Sequence, residues 1–289
     1  MLYVAGHIAY DYLFSIDDFP KANASCYIKG FDRYFGGGAA NTACAAAKLG
    51  QKASLISAVG EDFKDSEYEK NLRGCGVGIE HVRFLKGEKT PRAYMFVEPH
   101  GNFLSFFYWG AGEKLKNITP PDIGLKEGDL IHISTGDPDF NMKLSEKYGS
   151  VSFDPSYDTP LYNKDHMTKI LKHTKFLFCN KHEMNLILEL IETSPLDFGV
   201  EAIIMSEGSG GTVVKTRNYT IKVPAVKAKV VDTIGAGDSH RAGFLCAYMK
   251  GDSLKRCAQI ASSVASFVVE KRGAQSNLPT WEQAIKRLG

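Results

Sequence analysis

The feature that most constrains the fold of this chain is a regular alternation of short apolar runs with longer amphipathic ones. The short runs have the length of buried strands and lie at residues 2–6, 53–59, 130–134, 151–154, 176–179 and 202–206. Helices are predicted between and after them, at residues 39–49, 63–73, 164–172, 183–192, 236–250, 253–272 and 280–288. Strands that alternate with helices favour a mostly parallel sheet covered on both faces. We therefore predict an α/β fold in which residues 1–289 form a single domain.

Two aromatic stretches interrupt this alternation. Residues 24–35 and 92–109 look like antiparallel strands, and residues 98–102 have the composition of a turn within the second stretch. We predict a small antiparallel β lid, formed by residues 8–35 and 90–110 and inserted in the α/β body. Its aromatic side chains either fill the core or leave an excess on one face, which would need a ligand, a partner chain or a lid contact.

Composition excludes several classes of partner. The net charge is only +2, and 24% of the residues are charged, so there is no electrostatic reason to expect binding to nucleic acid or to a membrane surface. No apolar run reaches the roughly 18 residues that a membrane span needs. The six cysteines are scattered without a C-x-x-C pair, which favours reduced thiols. We therefore expect a cytoplasmic protein.

The strongest chemical signal is a glycine-rich turn before an apolar helix. It reads Asp232-Thr233-Ile234-Gly235-Ala236-Gly237-Asp238. Its glycines allow backbone amides to approach a ligand closely, and the helix N-terminus that follows favours anions. That N-terminus also stabilises a carboxylate at Asp238. A phosphate and an ionised base at one helix start suit the phosphorylation of an alcohol, although such a turn alone is also typical of an ordinary N-capped helix.

A second glycine-rich turn lies near the N-terminus. It reads Gly36-Gly37-Gly38-Ala39-Ala40-Asn41 and also leads into a predicted helix. Three glycines permit close backbone approach to a polar ligand, and the Asn41 amide offers both a donor and acceptors to hydroxyl groups. Taken by itself, this turn fits a flexible loop before an alanine-rich helix equally well.

Together the two turns resemble the two signatures of the ribokinase-like (phosphofructokinase-B) carbohydrate and nucleoside kinases. Their order, their separation and the chain length of 289 residues fit that family, so the resemblance covers essentially the whole chain. It implies a ribokinase-like α/β fold and transfer of a phosphoryl group from ATP, or another nucleotide, to a primary hydroxyl group of a small molecule. Asp238 would be the catalytic base, and the amides of Gly235, Ala236 and Gly237 would stabilise the developing negative charge.

The resemblance also implies residues that bind the substrate, the nucleotide and metal ions. The substrate-binding candidates are Asp11, Gly37, Gly38, Asn41 and Asp137. The nucleotide-binding candidates are Asn180, Ser206, Gly208, Gly210, Gly211, Gly273 and Ala274. Glu183 would organise Mg²⁺ through water, and Asp232 is the candidate ligand for K⁺ or another monovalent cation. An ordinary helix-capping box is the alternative explanation for Asn180 and Glu183.

One pair of residues departs from the family pattern. After Gly-Ala-Gly-Asp the family usually has a small residue and then an aromatic one, whereas this chain has Ser239-His240-Arg241. We interpret His240 and Arg241 as local packing or surface variants, with a substrate contact as the alternative. The base itself is intact, so the predicted reaction class is unaffected.

The acceptor is predicted from the aromatic lid, because a nucleobase stacks on flat rings. The segments 6–11 and 135–138 also resemble, more loosely, the archaeal-type nucleoside kinases of the family. We therefore favour a nucleoside phosphorylated at its 5′-hydroxyl. A sugar or sugar phosphate would use the same catalytic residues. The phosphate of a phosphorylated acceptor would need a basic partner in the lid, and Lys29, Arg33 and Arg92 are candidates for it. Since an exposed aromatic lid in this family often pairs with another copy, a homodimer through the lid is expected.

Two other classes of protein share part of this sequence pattern. A dinucleotide-binding oxidoreductase would need G-x-G-x-x-G directly after the first strand, where only Gly6 is present. A non-catalytic sugar- or nucleoside-binding protein on the kinase fold would have a damaged base or anion site, whereas residues 235–238 are intact.

Overall fold

The computed structural model of the chain describes residues 1–99 and 102–289. Within these residues a nine-stranded sheet forms the centre of the molecule, and its strand pairings are parallel except for the last two pairings at one edge, which are antiparallel. In spatial order the strands are β13 (Thr220–Val223), β12 (Thr212–Lys215), β11 (Ala202–Ser206), β10 (Thr174–Asn180), β9 (Val151–Phe153), β8 (Leu130–Ile133), β1 (Leu2–Ala5), β4 (Ala53–Gly60) and β5 (Val77–Leu85). The predicted α/β class is confirmed.

Helices cover both faces of this sheet, because alternate residues of each strand are apolar on opposite sides. In β1, Leu2 and Val4 belong to one buried cluster and Tyr3 and Ala5 to the other. The first cluster includes residues of α1 (Gly38–Lys48), α2 (Glu67–Gly74), α6 (Ala236–Met249), α7 (Leu254–Val268) and α8 (Trp281–Arg287). The second includes residues of α3 (Pro138–Tyr148), α4 (Lys164–Leu171) and α5 (Lys181–Ile191). In the described part of the chain, no helix combines the length and apolarity that crossing a membrane would require.

A second sheet lies beside the main one. Its four described strands are ordered β3 (Ile28–Gly36), β2 (Ala9–Ile16), β6 (Arg92–Val97) and β7 (Phe103–Tyr108). The two outer pairings are antiparallel, as predicted, whereas the central pairing of β2 with β6 is parallel. The Glu98 amide donates to the Asn102 carbonyl at 3.1 Å, which fits the predicted turn at 98–102, although residues 100 and 101 of that turn lie outside the described residues.

Several element ends differ from the prediction for local physical reasons. Helix α2 begins at Glu67 instead of residue 63, because the Ser66 hydroxyl caps it by accepting the Glu69 amide at 3.1 Å. Helix α7 ends at Val268 instead of residue 272, because the Val269 carbonyl accepts the amides of Val231 and Asp232. Helix α3 was not predicted, since few of its residues are apolar. Strands β2, β5, β12 and β13 were also missed.

Helices α6 and α7 approach each other closely at Gly243. A β-carbon there would lie 2.9 Å from the Ala261 α-carbon and 3.1 Å from a Val264 methyl group. Because backbone atoms on the facing helix cannot easily move, we expect Gly243→Ala to lower the free energy of unfolding by about 1–3 kcal/mol.

Gly74→Ala is the matched control, because no neighbouring atom lies within 4 Å of the added methyl group. This change should be neutral or mildly stabilising, since alanine has the higher helix propensity. Urea unfolding of both variants tests the prediction, and equal stabilities of the two variants would contradict it.

Candidate active site

The two glycine-rich turns meet at the carboxyl ends of the central parallel strands, where open α/β sheets bind ligands. Gly38 lies between them and the end of β8. A β-carbon on Gly38 would lie 2.8 Å from the Ser134 Oγ and 3.5 Å from the Asp238 Oδ1. Two motifs that are far apart in sequence therefore form one site, with glycine at the point of closest approach.

Asp238 lies in the first turn of α6 and is held by α1. The Asn41 Nδ2 donates to the Asp238 Oδ2 at 2.9 Å, and the Thr42 hydroxyl donates to the Asp238 carbonyl at 3.4 Å. Burial raises the pKa of Asp238, while the charge of Arg241 and the hydrogen bond from Asn41 act to lower it. This carboxylate is thus fixed in position and has a raised proton affinity, as a general base requires.

The turn before α6 supplies backbone donors. Gly235 has φ 76°, and a β-carbon there would overlap Ala274, so this position favours glycine strongly. Of the three predicted donors, the Ala236 amide already donates to the Thr233 carbonyl at 3.2 Å. Among the described residues, the amides of Gly235 and Gly237 have no backbone acceptor. They are therefore the donors that remain for an anion.

Asp11 lies on β2 and faces the same site. It is 7% exposed, and a β-carbon on Gly36 would overlap its carboxylate, so Gly36 makes room for it. Burial, followed by the negative charges of Asp238 and Asp232, raises the pKa of Asp11 to about 7. Near neutral pH this side chain can therefore both donate and accept a hydrogen bond.

The register of the small sheet separates its aromatic side chains by face. Asp11 pairs with Tyr34 and Ala93, and Ala93 pairs with Phe107, so these four share one face. Most of the stacked rings lie on the opposite face, in the pairs Tyr12–Phe31, Tyr12–Tyr94, Phe14–Phe31 and Phe14–Phe96. Most of the stacked rings therefore do not share a face with Asp11, and stacking of the acceptor on the lid stays a prediction. On the side of Asp11, Tyr34 and Phe107 supply aromatic surface.

Asn180 and Glu183 form the capping box of α5. The Asn180 amide donates to the Glu183 Oε2 at 2.7 Å, and the Glu183 amide donates to the Asn180 Oδ1 at 2.9 Å. Glu183 is 6% exposed. The alternative explanation for this pair is thus realised, and it fixes the carboxylate of Glu183 at the carboxyl end of β10.

The predicted phosphate loop, Ser206 to Gly211, joins β11 to β12. Gly211 has φ 97°, and a β-carbon there would overlap the Val223 carbonyl. The Thr212 hydroxyl at the base of this loop hydrogen-bonds the His240 Nε2 at 2.7 Å. The loop is therefore tied to α6 two residues after Asp238.

Asp232 joins the turn before α6 to the segment that contains Gly273 and Ala274. Its Oδ1 accepts the Ile234 amide and its Oδ2 accepts the Gly273 amide, both at 3.0 Å. Across the described ranges, no group of three or more His, Cys, Asp or Glu side chains is arranged to hold a metal ion. A cation at Asp232 would therefore need other oxygen ligands as well.

Asp137 has a local role in the structure. It caps α3, where its carboxylate accepts the Phe140 amide at 2.9 Å. Burial raises the pKa of Asp137. The chain places it just after the end of β8, close in sequence to Ser134 and Thr135.

Sequence reasoning assigned no role to a hydrogen-bonded chain that orients Asn41. The Gln275 Nε2 donates to the Asn41 Oδ1 at 2.9 Å and to the Tyr68 hydroxyl at 3.0 Å. The Asn71 Nδ2 in turn donates to the Gln275 Oε1 at 3.2 Å. This chain fixes the Asn41 amide so that its Nδ2 faces Asp238. A cavity of 320 Å³ lies beside it, with Gln275 and Gly273 in its wall.

His240 and Arg241 are both buried, with 7% exposure each, so their interpretation as surface variants is wrong. His240 packs against Thr212, which agrees with the predicted local packing. Arg241 pairs with Asp154, which directly follows β9. The only signal for this pair in the sequence was an acidic residue at the carboxyl end of a predicted parallel strand.

Comparison with known proteins agrees with this geometry. The chain matches the pfkB family carbohydrate kinases over residues 1–281. A nucleoside kinase of Methanocaldococcus jannaschii is 44% identical over 98% of this chain and 95% of that protein. A nucleoside kinase of Methanothermobacter thermautotrophicus is 37% identical over 99% of this chain and 95% of that protein.

A solved structure gives the same result. The crystal structure of the M. jannaschii nucleoside kinase, described as an archaeal member of the ribokinase family, is 43% identical and aligns with a TM-score of 0.95. The alignment covers 99% of this chain and 97% of that one. This chain therefore belongs to the pfkB family of carbohydrate kinases and has the ribokinase-like fold.

Proposed function

We propose that this chain is an ATP-dependent kinase that transfers the γ-phosphoryl group to the 5′-hydroxyl of a nucleoside. The observation that carries the proposal is the contact of Asn41 with Asp238 at the start of α6, where a fixed base lies next to free backbone amides. The two relatives that are 44% and 37% identical are both nucleoside kinases, which favours a nucleoside over a free sugar as the acceptor.

On the acceptor side, Asp238 would take the proton of the primary hydroxyl as its oxygen attacks the terminal phosphorus. Asn41, oriented by Gln275, would hold the carboxylate toward that hydroxyl. Gly37 and Gly38 would let the acceptor approach the backbone closely. Asp11 would bind hydroxyl groups of the ribose, as donor or acceptor, while Asp137 would shape the site through its cap on α3.

On the donor side, the amides of Gly235 and Gly237 would stabilise the negative charge that develops on the transferred group. Ala236 completes the turn through its bond to Thr233. The remaining nucleotide contacts would come from segments that are tied to this turn. These are Asn180 at the start of α5, the loop residues Ser206, Gly208, Gly210 and Gly211, and the pair Gly273 and Ala274.

The charges of the site suit metal ions that act with the nucleotide. Mg²⁺ keeps several waters and needs only one or two carboxylates besides the substrate phosphates, so Glu183, which its capping box holds in place, fits a contact through water. Bound Mg²⁺ would supply neutralisation of the donor phosphates. K⁺ or another monovalent cation would bind at Asp232, whose carboxylate oxygens lie between two loop segments.

The four-stranded sheet would act as a lid over the acceptor. Its Asp11 face, with Tyr34 and Phe107, would cover the nucleoside and exclude water, so that hydrolysis of the donor does not compete.

Asp238→Asn tests the proposed base. We expect nucleotide consumption with Mg-ATP and a nucleoside to fall by at least about a hundredfold, because general-base catalysis is worth that much or more, while ATP binding is retained. The assay uses a panel of nucleosides, ribose, fructose and sugar phosphates. Turnover of the sugars alone would keep the base and contradict the nucleoside acceptor.

Asp252→Asn is the matched control, because Asp252 lies beyond the opposite end of α6. It should leave turnover near the value of the unmodified protein. Normal turnover in Asp238→Asn would contradict the assignment of the base.

Glu183→Gln tests the proposed magnesium contact. Glutamine preserves the acceptor of the capping box, so the helix start should persist, while the charge is lost. We expect the Mg²⁺ concentration for half-maximal activity to rise by about tenfold, which is typical when a residue that hydrogen-bonds a direct ligand of the metal is lost. Glu189→Gln, on the exposed side of α5, should leave that concentration unchanged. Equal Mg²⁺ requirements in both variants would contradict the contact.

We propose that the face of the small sheet opposite Asp11 is the surface of a homodimer. Phe31 is 56% exposed and Phe106 is 59% exposed, and both lie on the face opposite Asp11. A cluster of exposed rings favours burial against a second copy. We expect Phe31→Ser/Phe106→Ser to halve the mass in solution measured by light scattering. Tyr219→Ser, at an exposed ring outside this sheet, should leave the mass unchanged. A monomeric unmodified protein would contradict the dimer.

A further inference from the structure

Arg241 is unusual because it is a buried cation. Within residues 1–99 and 102–289 it is the only buried lysine or arginine, with 7% exposure. It lies on α6 three residues after Asp238, so the two side chains occupy the same side of the helix. A permanently charged guanidinium is costly to bury unless it is compensated. Its surroundings therefore indicate what it does.

Asp154 holds the guanidinium in place. The Arg241 Nη2 donates to the Asp154 Oδ1 at 2.9 Å, and the Nε forms an ion pair with the Oδ2. Asp154 is fully buried and directly follows β9 at the carboxyl edge of the sheet. Two parallel contacts of this kind fix the plane of the guanidinium group.

The third nitrogen points toward the proposed anion site. A β-carbon on Gly237 would overlap the Arg241 Nη1, so the second glycine of the turn is needed partly to accommodate the arginine. In the described part of the chain the Nη1 has no hydrogen-bond acceptor, whereas the Nη2 is used by Asp154. The Nη1 therefore lies directly against the backbone that the donor phosphate would approach.

The charges around Asp238 are otherwise acidic or neutral. The groups around Asp238 and Arg241 come from separate elements: Asn41 from α1, Asp11 from β2, Asp154 after β9, Tyr157 from the short 3₁₀-helix Ser156–Leu161, Glu183 from α5 and Arg241 from α6 itself. The two buried histidines nearby are neutral, since burial and the charge of Arg241 lower the pKa of His132 and of His240 to about 3. Arg241 is thus the fixed positive charge of this cluster.

We propose that Arg241 is a positioning residue of the kinase reaction: held by Asp154 beneath Gly237, its guanidinium keeps Asp238 in the basic form when the donor phosphates arrive. The inference rests on the proposed function, because it concerns the same base and the same anion site. Its physical basis is that an anionic donor next to a buried carboxylate favours protonation of that carboxylate, and a fixed cation opposes this.

The test is the dependence of kcat/KM on pH for Arg241→Gln and Arg241→Lys. Arg241 lowers the pKa of Asp238, so its loss raises that pKa, and the ionised base becomes scarcer as the pH falls. We expect the acid limb of Arg241→Gln to move up by about one pH unit, with about a tenfold loss of kcat/KM below it. Arg241→Lys, which keeps the charge, should move the limb less.

Two further variants separate this role from folding. Arg241→Gln/Asp154→Asn replaces the ion pair by two neutral side chains, which avoids an unpaired buried charge. It should move the acid limb up by less than Arg241→Gln does, because Asp154 and Asp238 are two negative charges that disfavour each other's ionised form. Cys246→Ala is the matched control on a buried residue of the same helix, two turns beyond Asp238, and it should keep the pH profile of the unmodified protein. A cooperative thermal unfolding transition is the criterion that each variant is folded.

A folded Arg241→Gln whose acid limb is unmoved, or a folded double variant whose acid limb moves down, would overturn the inference. A loss of the same factor at every pH would also overturn it, because that is the signature of a purely structural role. If the unmodified protein phosphorylates no acceptor, the proposed function fails instead, and this outcome is distinguishable because it precedes any comparison of variants.

Discussion

The hydrogen bond from Asn41 to Asp238 joins the starts of two helices, α1 and α6, that are far apart in the sequence. It depends on Gly38, where any β-carbon would crowd the Ser134 hydroxyl, and on Gly235, whose positive φ opens α6 beside Ala274. The parallel sheet brings these turns to one edge. The carboxylate of Asp238, the proposed base, is therefore aligned by the whole fold, and a displacement of either helix would misplace it.

The second constraint is electrostatic. The sheet edge gathers carboxylates from separate elements, among them Asp11, Asp154 and Asp238, and burial raises the pKa of each. Such a cluster would become protonated, and so lose its basic character, without compensation. Arg241 from within α6 and the amide of Asn41 supply that compensation before any ligand binds. The site is thus prepared for an anionic donor by groups that belong to the fold.

Much of this could be predicted from the sequence, because the α/β alternation and both glycine-rich turns have local signatures. The position of Asp238 in the first turn of α6 follows from its glycine-rich turn alone. The role of Gln275 did not follow, since its contacts with Asn41 and Tyr68 join segments that no local pattern connects. The division of the aromatic side chains between the two faces of the small sheet did not follow either. Alternation shows which residues share a face, whereas the register of β2 with β3 and β6 decides which face carries Asp11.

The most direct test of the account is a crystal structure with a nucleoside and an unreactive ATP analogue bound together. The account predicts the 5′-hydroxyl at about 3 Å from the Asp238 carboxylate, within hydrogen-bond reach, and the terminal phosphate against the amides of Gly235 and Gly237. A 5′-hydroxyl that contacts Asp11 instead, with Asp238 bonded only to Asn41, would contradict the assignment of Asp238 as the base.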